Sequence, residues 1–212
     1  MSDEFEKQRK NLVEILIKNG ELKSKKVIDA FLKVERHKFV PDEYKHRAYN
    51  DEPLSIGYGQ TISAPSIVAI MIEALDINEN DKILEIGTGS GYTTCILAEI
   101  AKNGKIFTIE RIEELANKAR ERLKDYKNVE VIVGDGTKGY EKEKFYDKII
   151  VSACASKIPK KLIEQLKDNG KMVIPVGGDV IFQELILIEK EKGKIKEKFL
   201  TGCSFVPLIG EY

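Results

Sequence analysis

Lys82 to Thr94 reads KILEIGTGSGYTT. An apolar run, Ile83, Leu84 and Ile86, leads into Gly87-Thr88-Gly89-Ser90-Gly91, and a helical stretch from Tyr92 to Ala101 follows at once. Strand, glycine turn and helix in that order predict an α/β protein whose open, mostly parallel sheet lets a nucleotide-like ligand approach the backbone. A β-carbon in such a turn would hold the ligand away from the main chain. Glu85 stands inside the otherwise apolar strand, where a carboxylate is costly unless paired. The spacing is tighter than the GxGxxG dinucleotide fingerprint, and no GxxxxGKS/T phosphate loop is present.

The pattern continues downstream. Lys105 to Glu110, KIFTIE, is a second strand ending in a carboxylate, roughly 20 residues past the glycines, where such folds bind a ribose hydroxyl pair. Val129 to Asp135, VEVIVGD, is a third strand that also ends in an acid. Carboxylates at successive strand ends suit a neutral or cationic adenosine ligand. A polyphosphate would call for Lys or Arg there. S-adenosylmethionine, with its sulfonium and amino groups, fits this pattern.

The 35 basic and 35 acidic side chains cancel, so no global positive field points to nucleic acid. No apolar run is long enough to span a bilayer, and the mixed N-terminus MSDEFEKQRK is unlike a secretory signal. Cys95, Cys154 and Cys203 are scattered without CxxC or Cys/His spacing, so no metal site is expected. These features suit a cytoplasmic protein.

Along the chain, Phe5 to Lys18 carries a helical stripe of Phe5, Leu12, Ile15 and Leu16, closed by Asn19-Gly20. Ser24 is expected to cap a second helix. His37, beside Phe39 and Pro41, reads as structural rather than catalytic. Asp51 to Pro65, DEPLSIGYGQTISAP, reads as a poorly packed loop presenting hydroxyls and main-chain donors before a helix that opens at Pro65. Thr61 and Ser63 would then stand at that helix N-terminus, which favours an anion. Whether Ser63 caps the helix or meets a ligand is left open by composition. Tyr146 to Cys154 is a fourth strand, Gln165 to Gly170 a helix exit with a glycine C-cap, and Lys171 to Val176 a fifth strand. Gln183 to Glu189 and Ile195 to Leu208 should close the sheet as an antiparallel hairpin.

Over nearly its full length the chain resembles the protein-L-isoaspartate (D-aspartate) O-methyltransferases. The matching stretches are RHKFVP at Arg36 to Pro41, PLSIGYGQTISAP at Pro53 to Pro65, ILEIGTGSGY at Ile83 to Tyr92, VIVGDGTKGY at Val131 to Tyr140 and FVPLIGEY at Phe205 to Tyr212. The family usually has His after SAP, where this chain has Ser66. The resemblance implies one domain over 1–212 of the class I S-adenosylmethionine-dependent, Rossmann-like, doubly wound type. Residues 1–65 would give N-terminal helices and the active-site loop, and 66–212 the cofactor-binding sheet with its C-terminal hairpin.

It further implies methyl transfer from S-adenosylmethionine to the free α-carboxylate of L-isoaspartyl residues in damaged proteins, leaving S-adenosylhomocysteine. Ser63 would orient the substrate carboxylate, with Thr61 shaping the pocket and Gln60 its rim. Gly87, Thr88, Gly89 and Gly91 would pass the methionine part of the cofactor, Glu110 would take the ribose, and Asp135 and Gly136 would meet the adenine edge. Glu85 and Arg111 complete the expected cofactor set. Ile56, Val206, Pro207 and Leu208 join Thr61 and Ser63 on the substrate side, the 206–208 backbone pairing with an extended peptide. Isoaspartyl peptides and proteins are the expected partners of a monomer, with no nucleic acid, membrane or metal. The rival is a methyltransferase of the same fold acting on RNA or a small molecule. The (D/N/S)PP(Y/F) motif of base-amine methylation is absent from SACASKIP, the segment after the fourth strand.

Overall fold

A computed structural model describes residues 2–178 and 183–212. Helix α1 (Ser2–Lys18) buries Leu12, Val13 and Leu16, while Ile15 faces solvent. Gly20 closes the helix at φ 79°, where no β-carbon resists the left-handed turn. Helix α2 (Lys25–Lys33) is not capped by the Ser24 hydroxyl. Instead the Glu73 carboxylate accepts hydrogen bonds from the Lys23 and Ser24 amides, both at 2.8 Å, so a distant acid holds the chain as it enters the helix.

Residues 51–65 pack better than a loop. Strands β1 (Leu54–Gly57) and β2 (Gln60–Ile62) form an antiparallel hairpin turning through Gly57, Tyr58 and Gly59, all at positive φ. Its period-two side chains bury Leu54, Ile56 and Ile62, a pattern hidden among the Gly, Ser and Thr of this stretch. Arg36, fully buried, anchors the hairpin base by donating to the Ala48 and Glu52 carbonyls, and its guanidinium lies 5.0 Å from the centre of the Tyr92 ring. His37 stacks on Phe5 and pairs with the Tyr49 hydroxyl, a packing role. Helix α3 (Pro65–Leu75) follows with Pro65 in its first turn.

Parallel strands β3 (Lys82–Ile86), β4 (Lys105–Glu110) and β5 (Val129–Val133) are linked by α4 (Tyr92–Ile100) and α5 (Glu113–Leu123). The chain then returns to the other side of β3 as β6 (Tyr146–Val151), passes through α6 (Lys160–Gln165), and adds β7 (Leu166–Val176), β8 (Gln183–Glu191) and β9 (Lys194–Cys203). The strand order is β5-β4-β3-β6-β7-β8-β9, parallel through β7 and antiparallel beyond it. Ile83, Ile106 and Ile150 join one apolar core with side chains of α1 to α5, whereas Leu84, Phe107 and Ile149 face α6 in a second. The order reverses beside β3, so a ligand crevice forms at the carboxyl ends of β3 and β6.

Two boundaries differ from the sequence reading. Gly170 is not a C-cap, because β7 already starts at Leu166. The Lys190 ammonium donates to the carbonyls of Ile163 and Leu166, and Asp168 accepts from the amides of Lys192 and Gly193. The helix end is thus satisfied by the neighbouring hairpin. Strand β9 ends at Cys203 rather than Leu208. The Gln183 side chain bonds both the amide and the carbonyl of Phe205, and the chain crosses back so that Pro207 bridges Cys154.

Candidate active site

The glycine turn is tied to its neighbours by backbone bonds. The Gly87 amide donates to the Ile109 carbonyl at 2.8 Å, the Ser152 amide to Ile86 at 2.8 Å, and the Gly134 amide to Glu110 at 3.0 Å. Four strand ends therefore meet in a fixed frame. The Glu110 carboxylate is 6% exposed and accepts from the Gly89 amide at 2.9 Å and the Ile112 amide at 3.0 Å. Each of its oxygens keeps a lone pair for a further donor, as a ribose hydroxyl pair requires.

Glu85 lies on the same strand face as Ile83, fully buried under α4. One oxygen accepts from the Thr94 hydroxyl at 2.5 Å and the Thr108 hydroxyl at 2.7 Å, and Thr108 also pairs with Thr88 of the glycine turn at 2.6 Å. The other oxygen has no partner among the described residues. Burial pushes this carboxyl up to about 7, helped by the nearby Glu110 charge and opposed by the two threonines. The folded protein thus holds a proton that the unfolded chain, near its ordinary 4.5, has released. Stability is expected to fall as pH rises from about 4.5 to about 7 and to stay level above that, by on the order of a few kcal/mol. Urea unfolding across this range should show stability falling more steeply with pH in the wild type than in Glu85→Gln. Identical slopes would contradict the assignment.

Across the crevice from the glycine turn stand Gln60, Thr61, Ile62 and Ser63, with Val206 to Ile209 forming a third wall. The cleft is open at its mouth, and its walls converge on the glycine turn. Among the described residues its lining carries one acid, Glu110, and one cation, Arg111. A buried acid with lone pairs to spare beside an open glycine turn fits an adenosine ligand such as S-adenosylmethionine. A second cleft, lined by Pro53, Ala64, Ile67, Ser204 and Phe205, shares Thr61, Ser63, Ser152 and Val206 with the first.

The Protein-L-isoaspartate(D-aspartate) O-methyltransferase family model matches residues 7–212. The chain belongs to that family. It is 57% identical to "Protein-L-isoaspartate O-methyltransferase 2" of Archaeoglobus fulgidus, over 99% of this chain and 96% of the relative. It is 56% identical to the Dictyoglomus turgidum protein-L-isoaspartate O-methyltransferase, over 98% and 94%. Among solved structures, a Plasmodium falciparum chain described as a protein-L-isoaspartate O-methyltransferase in complex with S-adenosyl-L-homocysteine superposes with a TM-score of 0.83. That match is 31% identical and covers 95% of this chain and 98% of the other.

In this isoaspartate methyltransferase, Gln60, Thr61, Ser63, Gly87, Thr88, Gly89, Glu110, Arg111, Gly136, Val206, Pro207 and Leu208 all line the first cleft. Four residues read from the sequence as part of the site do not. Glu85 acts from below the turn through the threonines. A β-carbon on Gly91 would point at Leu123 and Ala119 of α5, and the Ile56 side chain lies 3.4 Å from where one on Gly89 would stand. Asp135 does not line the cleft. Its carboxylate accepts from the Thr137 amide and hydroxyl and from the Glu211 amide, capping a short 3-10 turn and pinning the C-terminal tail. The D-G-T order of an Asx-type cap is the local signal for that role.

Ser63 is not a helix cap. The cap position is Ala64, and the Ser66 amide in the first turn donates instead to the Asp51 carboxylate at 2.8 Å. The anion at this helix end is therefore Asp51, which the sequence reading missed. Among the described residues no side chain or backbone group bonds the Ser63 hydroxyl, which opens on both clefts. Ser66, which stands where the family usually has His, lines neither cleft. The 206–208 backbone is partly spent: the Val206 carbonyl accepts from the Cys154 amide and the Leu208 amide donates to the Cys154 carbonyl. Its outward edge offers the Pro207 carbonyl but no amide, since proline has none. Ser152, also unforeseen, lines both clefts. The strand-order reversal that places it there is a non-local feature.

Proposed function

We propose that the chain transfers a methyl group from S-adenosylmethionine to the free α-carboxylate of L-isoaspartyl residues in damaged proteins. The observation that carries this reading is the junction of two clefts, one built for an adenosine ligand and one open to a peptide, with Ser63 on the wall they share. The names borne by relatives more than half identical support it. S-adenosylmethionine, when bound, supplies an electrophilic methyl carbon whose bond to sulfur breaks as a carboxylate oxygen bonds to it.

A carboxylate is already ionised at neutral pH, so the protein has no strong base to provide. Its task is alignment. Glu110 holds the nucleoside end, the glycine turn lets the reactive end approach the backbone, and Ser63 donates to the substrate carboxylate. The amide nitrogen of the following residue then attacks the ester carbonyl without further help, the ester C–O bond breaks and methanol leaves, giving a succinimide whose hydrolysis restores part of it to aspartate. We further read the protein as a monomer working in the cytoplasm without a nucleic-acid or membrane partner. The balanced charge supports the reading for nucleic acid. No helix of the described residues is long and apolar enough to cross a membrane.

Labelled methyl transfer to an isoaspartyl peptide, with release of label by mild base, is the expected result. Transfer to RNA but not to the peptide would overturn the reading. Ser63→Ala should lower turnover about tenfold to a hundredfold while leaving cofactor affinity near normal, as loss of one aligning hydrogen bond implies. Unchanged turnover would remove Ser63 from the reaction.

A further inference from the structure

The second cleft poses a problem of charge. It lies where the substrate carboxylate would reach the methyl donor, yet among the described residues none that lines it carries a charge. Among the described residues, hydroxyls and backbone groups are what can hold a carboxylate placed there. Four hydroxyl residues line this cleft: Thr61, Ser63, Ser152 and Ser204. Thr61 and Ser204 are exposed, whereas Ser63 and Ser152 are half-buried and also line the first cleft.

We propose that Ser152 is a second substrate-binding hydroxyl, which holds the isoaspartyl α-carboxylate together with Ser63 and registers it against the methyl donor. The inference rests on the isoaspartyl reading above. A carboxylate has two equivalent oxygens, and transfer uses one of them. With a single hydroxyl on the group, the plane of the carboxylate rotates freely about that bond. A second donor fixes the plane and the line of attack.

Ser152 is built for this task by its place in the sheet. It follows β6, and its amide is bonded at 2.8 Å to the carbonyl of Ile86, the residue directly before the glycine turn. A β-carbon on Gly87 would stand 3.5 Å from the β-carbon of Ser152. The hydroxyl is thus carried by the same pair of strands that carries the cofactor turn, and the two keep one spacing. Ser63 is carried separately, between β2 and α3. Among the described residues nothing else bonds the Ser152 hydroxyl, so it is free to donate into the junction.

The test is steady-state kinetics of Ser152→Ala, Ser63→Ala and the double variant on an isoaspartyl peptide, with calorimetric binding of S-adenosylhomocysteine to each. Ser152→Ala is expected to lower kcat/KM for the peptide about tenfold, with cofactor affinity within about twofold of the wild type. The double variant should lose less than the product of the single losses, because both hydroxyls act on one carboxylate. An unchanged kcat/KM, a loss that appears in cofactor affinity instead, or strictly multiplicative losses would each overturn the proposal. Failure of the wild type itself to methylate the peptide would refute the isoaspartyl reading rather than Ser152 alone.

Discussion

Gly89→Val is expected to weaken binding of S-adenosylhomocysteine by at least about a hundredfold in a protein that still folds. Gly89 sits at φ 53°, in the left-handed region, where an L-residue costs about 1–2 kcal/mol and a β-branched one more. A β-carbon there would lie 3.4 Å from the Ile56 side chain, and the valine methyls extend further. Relief can come from rotating the turn or from lifting the hairpin. Rotation takes the Gly89 amide off Glu110 and misplaces the acid that serves the ribose. Lifting the hairpin moves Thr61 and Ser63 from the shared wall, since Ile56 is on its other strand. Either route damages the site, so the loss should exceed that of any single hydrogen bond. Calorimetric titration, with circular dichroism to confirm the fold, reads it directly. Near-normal affinity would show that this turn does not hold the cofactor.

What the sequence revealed and what it concealed divide along physical lines. The β3 strand, its glycine turn and α4 are contiguous, and Glu110 follows at a spacing set by one strand-helix-strand unit. Local pattern was enough for these. The hairpin at 54–62 was hidden because only Leu54, Ile56 and Ile62 carry its alternation, amid residues that favour turns. Ser24 and Gly170 share one physical reason. Each looks like a local cap, and in each case a group distant in sequence changes the outcome: Glu73 ahead of α2 and Lys190 at the end of α6. Ser152 and the return of 206–208 onto Cys154 depend on strand order, which no window of sequence contains.

Discrimination between two linkages is the second large effect. In an isoaspartyl residue the chain continues through the side chain, and the free α-carboxylate sits on a short branch. A normal aspartate carries its carboxylate one methylene further out on an unkinked backbone. The walls of the junction cannot follow that change. Ser63 stands between a paired strand and α3, and residues 206–208 are tied to Cys154 by two backbone bonds of 2.8 and 2.7 Å. Displacing the reacting oxygen by about 1 Å costs on the order of a hundredfold. The difference belongs to transition-state alignment and should appear in kcat/KM. The decisive measurement is therefore kcat/KM for two peptides identical except for an isoaspartyl or an aspartyl linkage, scored as base-labile methyl ester. The account predicts a preference of at least about a hundredfold for the isoaspartyl peptide. Equal methylation of the two, or methylation of neither, would contradict it.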